Sequence, residues 1–231
     1  MKKKLQRLIE AARDREAAEL LPMVDDTPPS GPGKWTPKDH LAHLTAWRLV
    51  AVDELDAVRT GRRPQSVSDV DDVENAKIYK RTHRRPAAAL IDEGSNSWAE
   101  LSAAVEDCTR EDLAKPRPHH ADQPAWQAVP GNGYFHLAEH LAYLHTERGD
   151  HASAESAAKW AHEMAVTADA RGRATADYNL ACFYAARGRA EEAMPLLRSG
   201  LKLRPDLRDW AKKDKDLDPI RSTPELAKLL S

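Results

Sequence analysis

The chain has 231 residues, enough for one large domain or for an ordinary domain with a small companion. Its 35 Lys+Arg against 37 Asp+Glu leave a formal net charge of -2, which excludes nucleic-acid binding by bulk charge, and 41% hydrophobic content excludes a chain held open by self-repulsion. The longest apolar run, Leu180 to Ala186, is far short of the roughly 18 residues of a membrane span. The basic start Met1-Lys2-Lys3-Lys4 has no apolar signal core behind it, so a soluble, cytoplasmic protein with no membrane partner is expected.

Apolar residues recur at helical spacing and alternating β-branched runs are nearly absent, which predicts an all-α protein. The first helix is expected over about residues 3 to 21, through Leu5, Leu8, Ile9, Ala12, Leu20 and Leu21. Pro22, Pro28, Pro29, Gly31, Pro32 and Gly33 then make a loop. The clearest start signal follows: Thr36 as N-cap, Pro37 at the first helical position and Asp39 in the first turn open a helix running to about Arg59. Its apolar face is expected to hold Leu44, Trp47, Ala51, Leu55 and Val58.

After a polar loop from Gly61 to Asp72 comes a third helical region, interrupted near Arg85-Pro86, whose main part carries Ala89, Leu90, Trp98, Leu101, Ala104 and Val105. Pro116, Pro118, Pro124 and Pro130 mark 115–131 as irregular. A fourth helix is expected from Gly131-Asn132-Gly133 to about Arg148. Four amphipathic helices over residues 1–150 predict a four-helix bundle.

Residues 151–231 form a second, alanine-rich segment. A helix is expected at about 152 to 170. Leu180, Ala181, Tyr184, Gly188, Ala193, Leu197, Gly200 and Pro205 then fit the tetratricopeptide pattern, with Asp177 where the early Trp usually stands. One repeat is fewer than the three that normally stand alone, so this piece packs on the bundle, on its own tail or on a protein partner. Cys108 and Cys182 lie far apart with no CxxC partner, which fits buried thiols in a reducing compartment. The six Trp residues are expected in the core or in pocket walls.

Chemistry is concentrated in the histidines of two helices, His40 and His43 on the second, His136 and His140 on the fourth. Spacings of three and four put each pair on one side of a helix, where imidazoles can converge on an ion. Periodicity favours His40 as the inward residue of its pair. It leaves open whether these rings are solvated, hydrogen-bonded in the core or ligands. His136-Leu137-Ala138-Glu139-His140 also reads as H-x-x-E-H, an inverted zinc-peptidase signature that needs a further carboxylate from a later helix.

The segment Lys34-Trp35-Thr36-Pro37-Lys38-Asp39-His40-Leu41-Ala42-His43-Leu44-Thr45-Ala46-Trp47 resembles the second-helix signature of the DinB-like superfamily. The branch in question includes the ClbS/DfsB-type bundles and, more distantly, the mycothiol-dependent maleylpyruvate isomerases. Asn132-Gly133-Tyr134-Phe135-His136-Leu137-Ala138-Glu139-His140 is similar to the same superfamily's fourth-helix motif, so the resemblance covers about residues 1 to 148. It implies a divalent metal with three protein ligands, corresponding position by position to His43, His136 and His140, and so prefers His43 over His40.

Three neutral imidazoles leave a dication uncompensated with a coordination position open, as in catalytic sites. A water or thiol there loses its proton near neutral pH and becomes a nucleophile. Nitrogen ligands suit zinc, nickel, iron or copper, and the sequence does not choose among them; zinc or nickel is the leading expectation. The resemblance further implies a low-molecular-weight thiol as co-substrate, or hydrolysis, acting on a small electrophilic molecule. Glu139 and Tyr143 are candidate proton-transfer groups, although a surface ion pair and a packed ring explain them equally. Trp47 is a candidate pocket wall, and the loop residues His119, His120 and Asp122 a candidate cover. The run Lys80-Arg81-Thr82-His83-Arg84-Arg85 is expected as a solvated helix end, with an anionic cofactor as its other use. The alternative function is a non-catalytic interaction module recruiting a partner through 151–231. A homodimer is compatible with either.

Overall fold

The computed structural model describes residues 1–29, 31, 34–68, 71–166 and 170–231. The expected loop positions Pro32 and Gly33, and residues 167–169 of the helix expected over 152–170, lie outside them. The chain is helical almost throughout and divides into two compact units, Met1–Leu144 and His145–Ser231.

In the first unit the long helices are α1 (Lys2–Arg15), α2 (Pro37–Thr60), α4 (Ala87–Asp107) and α7 (His136–Glu147), the last running just past the division. The shorter α3 (Asp71–Thr82) packs on α2, while α1 and α2 both pack on α4. Leu5, Leu8, Ile9 and Ala12 of α1 are buried, as are Leu41, Leu44, Ala51 and Leu55 of α2, Leu90, Trp98, Leu101 and Val105 of α4, and Leu137 and Leu141 of α7. Past Arg15 the helix widens into a π-type turn over Glu16–Leu20 and then tightens over Leu21–Met23, where Pro22 ends it.

The stripe that α2 buries differs from the expected one. It runs through Leu41, Leu44, Arg48, Ala51 and Leu55, and Trp47 is only half-buried. A charged side chain occupies the core position because α1's extension brings Glu16 to meet it. Gly94 lets α2 and α4 approach: a Cβ there would sit 3.1 Å from Leu41 Cδ1 and 3.2 Å from Thr45 Oγ1.

The segment expected to be irregular contains a short helix, α5 (Arg110–Ala114), and an antiparallel ribbon of β1 (Pro116–Arg117) and β2 (His120–Pro124). Glu54, fully buried on α2, holds this ribbon by accepting from Arg117 Nε at 2.8 Å and from the His119 amide at 3.2 Å. A two-stranded ribbon is marginal by itself. The carboxylate beneath it supplies what the proline-rich sequence lacks. A single turn, α6 (Ala128–Pro130), and a π-type turn over Gly131–Phe135 lead into α7, with non-helical backbone at Gly133 (φ -105°, ψ -108°).

The second unit holds α8 (His151–Val166), α9 (Ala170–Ala185) and α10 (Ala190–Leu203), with α9 packed on both neighbours. The turn between α9 and α10 is closed by Gly188 at φ 69°. Leu180, Ala181, Tyr184, Ala193 and Leu197 are buried together with Leu217, Ile220, Leu226 and Leu230 of the tail, which carries α11 (Arg208–Ala211) and α12 (Pro224–Leu230). Asp177 is buried and accepts from His162 Nε2 at 2.6 Å and Ser199 Oγ at 2.5 Å, so it joins α8, α9 and α10 by hydrogen bonds.

Candidate metal centre

A full capping box sets the start of α2. The Thr36 hydroxyl accepts from the Asp39 amide at 3.2 Å, and the Asp39 carboxylate accepts from the Thr36 amide at 2.8 Å. His40 and His43 therefore sit in the first two turns of a fixed helix end. On α7, His136 and His140 are four residues apart and edge the stripe of Leu137, Leu141 and Leu144.

The two helices bring these rings together as a two-by-two array. His43 Nε2 lies 2.8 Å from His136 Nε2, and His40 Nδ1 lies 2.5 Å from His140 Nδ1. The pairing of 43 with 136 and 40 with 140 means that α2 and α7 run antiparallel here. His43 also meets His140 diagonally, ring centres 4.8 Å apart. One ligand atom each from His43, His136 and His140 falls within 4.8 Å of the other two, and His40 stands outside that group.

Aromatic rings frame one side. Trp35 packs on His40 and His43 with centroids at 5.4 and 5.0 Å. Tyr79 stacks on Trp35 at 6.0 Å, and His83 stacks on Tyr79 at 4.8 Å. Burial is the main reason that all four imidazoles of the array resist protonation. It holds His40 and His43 down to about 4, His40 against the pull of Asp39 and His43 with a further push from His40. Burial, then His43 and Arg48, hold His136 down to about 3, and burial with His136 beside it keeps His140 well below the ordinary imidazole value.

All four rings are therefore neutral at neutral pH, each with one proton and one lone pair. Among the described residues the buried Nδ1 atoms of His43 and His136 and the buried Nε2 of His40 have no hydrogen-bond partner. Between two neutral rings meeting Nε2 to Nε2, only one can donate, and His140 brings a third nitrogen to the same place. Lone pairs in excess of shared protons, on donors within 4.8 Å of one another, fit a cation with nitrogen ligands near 2.0–2.1 Å.

The other residues singled out by sequence lie differently. Glu139 is exposed on α7 and outside the nitrogen group. Tyr143 is 48% exposed, with its ring 5.4 Å from that of His40. Trp47 approaches His43 only at 6.4 Å and donates to Asn75 Oδ1 at 3.0 Å. His119, His120 and Asp122 belong to the ribbon anchored on Glu54. In the basic run, Arg85 pairs with Glu93 at 2.7 Å and Lys80, Arg81 and Arg84 are exposed. The H-x-x-E-H histidines are joined by an imidazole from an earlier helix, whereas the peptidase reading needs a later carboxylate.

Two features escaped the sequence reading: the pairing of His40 with His140, and the contact of Trp35 with both histidines of α2. In the second unit Cys182, Asp214 and Asp216 also lie close together. There Asp214 caps the turn at Lys215–Ile220, and its Oδ2 accepts from Tyr178 at 2.8 Å and Trp210 at 3.2 Å. Burial pushes the Cys182 thiol up, which leaves it protonated and inert.

A family model for the DinB superfamily matches residues 5–154. No curated protein and no solved structure matches the chain. The matched stretch runs from α1 into α8 and contains all four histidines of the array. The chain belongs to the DinB superfamily.

Proposed function

We propose that this protein is a metal-dependent enzyme that acts on a small electrophilic molecule, by thiol transfer or hydrolysis, with His43, His136 and His140 as ligands. The observation that carries the reading is the convergence of three neutral imidazoles from two helices within 4.8 Å, His43 buried and His136 and His140 half-buried. A divalent ion, zinc or nickel, supplies a Lewis acid that activates a nucleophile and polarises an electrophile. Among the described residues no carboxylate belongs to the nitrogen group, so the ion's charge stays uncompensated by them. Arg48, the nearby buried cation, is already neutralised by Glu16.

The chain's own residues supply the surroundings. Trp35 covers one side of both α2 histidines and limits water on that side. Tyr143, half-exposed beside His40, is the group within the site best placed to exchange a proton with solvent. Glu139 serves at the rim. A low-molecular-weight thiol is the proposed co-substrate, and the ClbS/DfsB-type branch the proposed subgroup.

We read 151–231 as a tetratricopeptide-like appendage offering a surface to a protein partner. Support comes from the α9–α10 hairpin, whose Leu180, Tyr184, Ala193 and Leu197 are buried and whose turn carries Gly188. Two free buried thiols, Cys108 and Cys182, support a cytoplasmic setting, and among the described residues no helix is long and apolar enough to cross a membrane.

Metal analysis of the purified chain tests the central claim. About one zinc or nickel per chain is expected, lost in a His136→Ala, His140→Ala double variant. Absence of saturable binding of zinc, nickel and cobalt(II) by the unmodified chain overturns it. Conjugation assays with glutathione, mycothiol and bacillithiol against a panel of electrophiles then identify the co-substrate.

A further inference from the structure

We infer that His40 is a positioning residue that fixes the tautomer and orientation of His140, and is not a fourth ligand. The inference rests on the metal-site reading above. A neutral imidazole carries one proton on one of its two nitrogens. His140 Nδ1 is taken up by His40 Nδ1 at 2.5 Å, so Nε2 is the nitrogen that His140 has left for an ion. A lone pair on that Nε2 requires the proton on Nδ1. His140 must then donate to His40, whose Nδ1 accepts and whose own proton sits on Nε2.

The surroundings of His40 suit this task. Its amide donates to Thr36 O at 3.0 Å within the capped first turn, and its ring lies between Trp35 and Tyr143, each with its centroid 5.4 Å away. The ring is buried and held from two sides, so its Nδ1 presents a fixed acceptor. It falls outside the group of three nitrogens that come within 4.8 Å of one another.

The three candidate ligands are therefore unequal. Among the described residues the Nδ1 atoms of His43 and His136 are buried without a partner, and of the three rings His140 alone has its outer nitrogen held by another imidazole. A ligand histidine whose second nitrogen donates a hydrogen bond is oriented and made more basic, and loss of that partner typically costs about 10–100-fold in metal affinity. A ring pair fills here the place usually taken by a carboxylate or a backbone carbonyl.

The test uses the full chain loaded with zinc or cobalt(II). Long-range proton–nitrogen NMR of the zinc form should show His140 protonated at Nδ1 and His40 protonated at Nε2. The His40→Ala variant should keep one ion per chain and an unchanged cobalt(II) d–d spectrum, with affinity lower by about 10–100-fold. His40→Asn, whose Oδ1 falls close to the place of Nδ1 and accepts the same proton, should recover most of the loss. It also carries the test if the alanine variant loses helix content.

Unchanged affinity in His40→Ala, or an NMR pattern with His140 protonated at Nε2, overturns the inference while leaving the three-histidine site intact. A cobalt(II) spectrum that loses a nitrogen ligand in His40→Asn overturns it in favour of direct ligation by His40. If the unmodified chain binds no ion at all, the metal-site reading fails first and takes this one with it.

Discussion

Arg48 and Glu16 meet at 2.5 Å with side chains only 1% and 2% open to solvent. The guanidinium also donates to Ser97 Oγ at 2.7 Å and Gly94 O at 3.0 Å, and its carbon lies 3.4 Å from the centre of the Trp98 ring. Trp98 Nε1 in turn donates to the second Glu16 oxygen at 2.7 Å. The pair thus joins the end of α1 to α2 and α4.

Removing one partner leaves the other charge stranded in the core. Glu16→Ala should destabilise the first unit by about 3–5 kcal/mol. Replacing both residues by methionine should cost far less, because the desolvation penalty of both ions disappears together. Chemical denaturation of the three proteins checks this. A loss below about 1 kcal/mol in Glu16→Ala contradicts the account.

Thr36→Ala removes the hydroxyl that caps α2. The expected cost is about 0.5–2 kcal/mol of stability. It should be accompanied by weaker zinc binding, because the turn that carries His40 and leads to His43 loses its anchor. Unfolding curves and zinc titration of this variant should move together. A full stability loss with unchanged zinc affinity means that the cap does not support the site.

Stability should depend on pH through the array. His40 and His43 are held down to about 4 and His136 to about 3, against an ordinary value of 6.5. Between those limits the unfolded chain takes up protons that the folded chain refuses. The contribution is therefore complete above about pH 6.5, falls away as pH drops toward 4, and changes little below 3. Denaturation midpoints of the metal-free chain from pH 7.5 to 4.5 should decline, and less steeply in His136→Ala. A midpoint that stays level across this range, or equal slopes in the two proteins, counts against buried neutral rings.

Much of this was legible because it was local. Thr36, Pro37 and Asp39 announce the start of α2 by chemistry that spans three residues, and the leucines of α7 repeat at the helical period. His43, His136 and His140 were singled out by their place in two motifs, and the structure brings their nitrogens to one spot.

What stayed hidden depends on partners far away in the chain. Glu16 follows Leu8, Ile9 and Ala12 on one stripe, and Arg48 lies between Leu44 and Ala51 on another. Opposite charges at two such core positions are a signal for a buried pair, yet nothing local shows that the two stripes face each other. The ribbon at Pro116–Pro124 escaped for the same reason, since Glu54 holds it from 63 residues away. Periodicity turned His40 inward and the motif favoured His43. Both rings are buried, because the first turns of α2 are enclosed by Trp35 as well as by α7.

The contact of His43 with His136 spans 93 positions of chain. An ion held by both rings would act on topology as a disulfide does, cross-linking the two ends of a long loop, but it could be made and undone by changing the concentration of the free ion. Chelation should therefore loosen the last helix of the bundle first, making α7 the place where proteolysis or amide exchange first reports a cell short of metal.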